Sequence, residues 1–193
     1  MSARFSHDGN YIVVCNNNTP DVTLLFHDPP GTVSLADTYT TAGFAQEAVF
    51  APDDAYIAVV HQTSPSFILL DHTTPGSLLL ATTYTLAQVG LAVAFSPDGN
   101  YIAVGEDYAA PQFTLLHRTA PGSVAFADSY TVVGSYPGIN SVKFSPDGAF
   151  IVLGHFGSPG PYLTLLNHSN GSVSLATTYT LPGTGQSVAF SPN

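Results

Sequence analysis

Five stretches of this chain are variants of one phrase. ARFSHDGNYIVV begins at Ala3, AVFAPDDAYIAV at Ala48, VAFSPDGNYIAV at Val93 and VKFSPDGAFIVL at Val142, and a shortened VAFSPN runs to Asn193. The phenylalanines they share, Phe5, Phe50, Phe95, Phe144 and Phe190, stand 45, 45, 49 and 46 residues apart. A second ladder, the Tyr-Thr pairs that start at Tyr39, Tyr84, Tyr130 and Tyr179, keeps step with the first. Two ladders in register along the whole chain define a tandem array of about four units, and in such an array each unit completes its core against its neighbours.

Each unit reads as four short strands. A first strand runs into the shared Phe and ends at Ser-Pro-Asp-Gly, where Pro presets the turn and Gly relaxes it. A second strand is apolar and β-branched, as in Tyr101-Ile102-Ala103-Val104. A third, such as Phe113-Thr114-Leu115-Leu116, follows a loop, and a tight Pro-Gly or Asn-Gly connection leads to a fourth that ends on the Tyr-Thr pair. No window carries a 3.6-residue apolar period, and 17 Gly with 15 Pro punctuate the chain too often for helices. The fold class is all-β. Four antiparallel strands in about 45 residues is the arithmetic of a propeller blade.

The Phe-Ser-Pro-Asp-Gly turn followed by Tyr or Phe and an apolar run resembles the repeats of WD40-like β-propellers, over nearly the whole chain. The resemblance implies a β-propeller of four WD40-like four-stranded blades at about 3–47, 48–92, 93–141 and 142–185, in one domain, with a closing strand at 186–193. It also points to bacterial surface proteins and phage-encoded proteins, where degenerate repeats of this kind occur. Trp is absent, and the positions that follow the third strand hold Phe26-His27, Asp71-His72, His117-Arg118 and Asn167-His168, so the hydrogen-bond network of true WD repeats does not carry over. Four second-to-fourth strand sets meet five first strands, and one is surplus. Residues 186–191 are therefore expected to pair with a first blade, the chain's own or a partner chain's, with Phe5, Val188 and Phe190 at the exchange point.

Composition narrows the function. Charged residues make up 8% against roughly 25% in an average domain, and 3 Lys and Arg against 13 Asp and Glu leave a net charge of −10. That balance excludes electrostatic capture of nucleic acid and disfavours an anionic membrane surface. The longest apolar runs fall short of a membrane span, and no signal peptide is recognised. Cys15 is the one cysteine, so neither an internal disulfide nor a paired-cysteine zinc site is expected.

With 20 Thr and 18 Ser in place of the usual Lys and Glu, the strands lack the charges that block edge pairing, which favours self-association or a protein partner. Three glycosylation acceptor patterns begin at Asn17, Asn167 and Asn170.

Strand direction places the loops after the second and fourth strands at one end of the blades, and there the repeats differ. Candidate partner-binding residues on that rim are Phe44, Glu47, His61, Glu106, Asp107, Tyr108, Tyr136, His155 and Phe156. From Tyr130 to Phe144 is 14 residues, against 11 in the other repeats, an insertion expected in a binding loop. Of the seven histidines, His27, His72 and His168 recur at one repeat position, a blade apart and so too far from one another to share a metal ion, and no nucleophile motif appears.

No catalytic residue, metal or cofactor is expected. The leading expectation is a non-enzymatic structural or adhesive building block of an extracellular or virion assembly. A propeller that captures carbohydrate or a protein through the rim loops comes second. A lactonase-like propeller enzyme with its site in the central channel comes third.

Overall fold

The computed structural model describes residues 2–29 and 31–191, with the backbone alone of Ser135 and Tyr136. Sixteen strands form four antiparallel sheets, each in simple meander order. Blade 1 holds β1 (Ser2–Phe5), β2 (Tyr11–Cys15), β3 (Val22–Asp28) and β4 (Thr32–Tyr39). Blade 2 holds β5 (Ala45–Phe50), β6 (Tyr56–His61), β7 (Ser66–Asp71) and β8 (Leu79–Thr85). Blade 3 holds β9 (Gly90–Phe95), β10 (Tyr101–Glu106), β11 (Phe113–Ala120) and β12 (Ser123–Tyr130). Blade 4 holds β13 (Ser135–Phe144), β14 (Phe150–Ser158), β15 (Leu163–Ser169) and β16 (Ser172–Tyr179). This is a four-bladed β-propeller arrangement.

The turn between the first two strands is built by its own side chains. In blade 3, Gly99 N–H donates to Ser96 C=O at 2.9 Å, Ser96 Oγ–H donates to Asp98 at 2.5 Å, and Tyr101 N–H donates back to Ser96 Oγ at 2.9 Å. Blades 1 and 4 repeat this with Ser6 and Asp8 and with Ser145 and Asp147. These hydrogen bonds hold the Asp8 and Asp147 carboxyls below the usual carboxylate range. Blade 2 departs from the rule. There Asp54, at φ +53°, stands where the other turns have Gly, and it accepts the His7 and Asp8 N–H groups of blade 1 at 2.8 and 2.9 Å.

The recurrent histidines close their own blades. Nδ1 of His27, His72 and His168 lies 2.8–3.0 Å from the carbonyls of Gly9, Asp54 and Gly148, and Arg118 donates to Gly99 C=O at 3.0 Å in blade 3.

Three buried clusters fill the joints between consecutive blades, because alternate residues of each middle strand face opposite neighbours. Leu24 shares a cluster with Leu70, Leu69 with Leu116, and Leu115 with Leu166. Across the same joints the ring centroids of Tyr11 and His72 lie 4.8 Å apart, as do those of Tyr101 and His168, and the Arg118 guanidinium lies 4.8 Å over Tyr56. Cys15 is buried in the first cluster, and burial pushes its thiol up to about 11.

Candidate functional site

The first strand of each blade lines a central channel, and residues 186–190 line it beside blade 4. Those residues pair with no strand among the described residues. Val188 N–H donates to Ser141 Oγ at 3.2 Å, and Gly185 N–H donates to His155 C=O at 3.0 Å. The first contact follows the linkage between inner strands, where Ala48 N–H donates to Ser2 Oγ and Val93 N–H to Glu47.

At the turn end the channel opens into a cavity of about 670 Å3, where Phe5, Phe50, Phe95, Phe144 and Phe190 converge. At the loop end it opens into a polar mouth that includes Ser2, Gln46, Asn140, Ser141 and Gln186. Arg4 lines both, and Lys143 lines the apolar cavity.

Arg4 and Lys143 meet on one carboxylate. Glu47 Oε1 lies 2.6 Å from an Arg4 nitrogen and 4.0 Å from Lys143 Nζ, while Oε2 accepts the Val93 N–H at 3.0 Å. Burial lowers the pKa of Lys143, and Glu47 partly offsets it. The chain has 3 Lys and Arg in all, so two of its three side-chain cations stand in this channel, and Arg118 is held between blades 2 and 3. Such a site can bind a small anion while presenting aromatic edges and neutral donors to its uncharged part.

The expected rim residues are scattered. Phe44 and Tyr108 are exposed on the loop end. Tyr108 packs edge-on against Phe156 at 5.8 Å, and Asp107 lies beside Gly138, its carboxyl raised by burial. The side chain of Tyr136 lies outside the described residues. Glu47 belongs to β5 and the channel, not to a loop.

His61, Glu106 and His155 are fully buried, so in this chain none is open to a partner. Glu106 braces its own blade, accepting from Gln88 N–H at 2.9 Å and from Thr114 Oγ1 at 2.5 Å, and burial raises its pKa. His155 Nε2 lies 3.0 Å from Thr164 Oγ1, and neither ring nitrogen of His61 has a partner among the described residues.

The three-residue insertion does not lengthen a loop. It extends β13 and β14 into a longer hairpin in which Ser135 pairs with Ser158.

Arg4 and Lys143 escaped the sequence reading, although a signal was available. They share one repeat position, directly before the Phe, where the other units have Val49, Ala94 and Ala189. Among the described residues no three His, Cys, Asp or Glu side chains gather where they could hold a metal ion.

The blades thus define a propeller with Arg4, Glu47, Lys143 and five phenylalanines at its axis. No family model matches the chain, and no curated protein matches it in sequence. Solved structures do. The periplasmic gluconolactonase PpgL of Pseudomonas aeruginosa matches with a TM-score of 0.80 at 16% identity, over 94% of this chain and 57% of that one. The proposed 6-phosphogluconolactonase of Bacteroides fragilis matches at 0.80 and 13% identity, over 96% and 56%. That of Bacteroides uniformis matches at 0.79 and 15%, over 94% and 55%.

The chain therefore spans little over half the length of these structures. The expectation that it is not an enzyme is corrected on this ground: the propellers that share its fold include named lactonases. The resemblance in fold is to these propellers and not to WD40 repeats in particular.

Proposed function

We propose that the channel binds a small hydroxylated carboxylate or its lactone, and that the chain forms part of a lactone-hydrolysing propeller. One observation carries this reading: in a chain of net charge −10, Arg4 and Lys143 converge on Glu47 at the axis. The names of the structures with the same fold support the substrate class. The Ser-Pro-Asp-Gly turns support a WD40-like origin for the blades, with the chemistry added on their inner strands.

In this reading the phenylalanines hold the apolar face of the ring at the turn end, and the polar mouth with Gln46 and Asn140 opens the channel to water from the loop end. Lys143 and Arg4 stabilise the negative charge that develops on the acyl oxygen as water adds to the acyl carbon. Glu47 takes the proton from that water and returns it to the ring oxygen as the acyl C–O bond breaks, leaving an open hydroxy acid. Burial disfavours the charged form of Lys143, so neutralising an incoming carboxylate benefits both groups.

The test is base uptake at constant pH with glucono-lactone, corrected for spontaneous opening. Turnover should fall at least about tenfold in Glu47→Gln and in Lys143→Met. Absence of turnover by the native chain together with no calorimetric binding of gluconate would overturn the reading. Binding without turnover would leave a carbohydrate-capturing propeller in its place.

A further inference from the structure

Every internal joint pairs a leading face with a trailing face, and the array leaves one of each uncovered. The leading face carries a third-strand leucine, an aromatic at the start of the second strand and the tyrosine of the Tyr-Thr pair. On blade 4 these are Leu165, Phe150 and Tyr179. Tyr179 is 65% exposed, whereas Tyr39, Tyr84 and Tyr130 at the same position pack against the joint clusters. The trailing face of blade 1 carries Ile12, Leu25 and Val33. Ile12 and Leu25 are half-buried, while their blade 2 counterparts Ile57 and Leu70 are fully buried. Val33 is 56% exposed against 5% for Leu78, the residue at its position in blade 2.

We propose that a second copy of this chain covers both faces. Blade 4 of each copy seats on blade 1 of the other, so that two chains close a ring of eight sheets around one channel. Leu165 then meets Leu25 of the second copy, continuing the leucine pairs of the three internal joints, and Phe150 meets its His27 as Tyr101 meets His168. The six residues are uncharged, so none of them sets like charges against each other across the contact. Each copy carries both halves of one joint, so two chains saturate one another. This inference stands on the blade faces alone and does not depend on the lactone reading.

Residues 186–190 occupy the place that β1 of the second copy must take beside Ser141. β1 is the better held of the two. It pairs with β2 at four positions, and Arg4 is bonded to Glu47, whereas the segment pairs with no strand among the described residues. Closing the ring therefore expels the segment.

Sedimentation velocity on the full chain at micromolar concentration tests the arrangement. A particle of twice 20.2 kDa is expected. Leu25→Glu and Leu165→Lys should each weaken the dimer at least about tenfold while circular dichroism shows an intact fold, because a charge is buried without a partner. An equimolar mixture of the two variants should restore a dimer, since the new charges meet at one joint and the other joint stays native. Deleting 186–193 should tighten self-association. A monomer, a larger open assembly, no rescue on mixing, or dissociation on deletion would each overturn the arrangement, the last in favour of strand exchange.

Discussion

Blades 1 and 2 are built on nearly the same pattern and differ in what covers them. Phe50 is 4% exposed in blade 2, while Phe5 at the same position in blade 1 is 58% exposed. Leu70 is fully buried, and its counterpart Leu25 is only half covered. The repeat specifies the strands, the turn and the alternation of side chains. How deeply those side chains are buried depends on the adjoining blade, so stability resides in the joints.

The sharpest test of that difference is a matched pair of truncations. Leu70→Ala should cost about 2–5 kcal/mol in urea unfolding, and Leu25→Ala about 1 kcal/mol or less in the monomer. Equal costs would show that Leu25 is covered in solution.

A smaller effect is expected at the turn that ties the two blades together. Asp54→Gly makes the blade 2 turn like the others, relieves the positive φ, and removes the acceptor for His7 and Asp8. A net loss of about 1 kcal/mol in the same assay is expected, and a gain would mean that the clamp is worth less than the strain.

The two blades also differ in their response to acid. Blade 2 buries His61 where blade 1 has Asn16, and burial lowers the pKa of His61. The unfolded chain takes up that proton first, near the ordinary histidine value of about 6.5, so the stability is complete above it and declines as pH falls through it. His61→Asn should flatten the fall in melting temperature between neutral pH and the folded-state pKa; an unchanged slope would mean that His61 is not protonated on unfolding.

The smallest change should be a gain. Asp37 accepts the Leu78 N–H of the next blade at 2.7 Å, and Asp128 accepts that of Val173 at 2.8 Å, but blade 2 has Thr82 at this position. Thr82→Asp should bond the Val124 N–H and add about 0.5–1 kcal/mol. No change in the midpoint of unfolding would show that this bond is neutral.

Much of the fold is legible in the sequence because each blade encloses its own signals. The Ser-Pro-Asp-Gly turn bonds to itself, and His27, His72 and His168 cap the turn of their own sheet, so repetition reports them directly. The channel is less legible because it is built from several blades at once. Arg4, Glu47 and Lys143 come from three different blades, and only the curvature of the array brings them onto one carboxylate. His61, Glu106 and His155 misled for the opposite reason. Their one repeat position holds Asn16, His61, Glu106 and His155, polar and variable as a surface position is, yet these three lie inside their blades. The insertion after Tyr130 looks like a loop in length alone, and only strand pairing shows that it extends a hairpin.

The scarcity of cations has a consequence for proteolysis. Trypsin cuts after Lys and Arg, and its three possible targets here, Arg4, Arg118 and Lys143, all lie within hydrogen-bonded strands, β1, β11 and β13. A protease needs an extended, unpaired segment in its cleft, so cleavage at any of these sites requires that strand to leave its sheet first. The order of cutting would then record the order in which the blades open: Arg4 first, from the four-residue strand at the end of the array, then Arg118 and Lys143 in the joined blades. Each fragment would mark one opening event, with no label added to the chain.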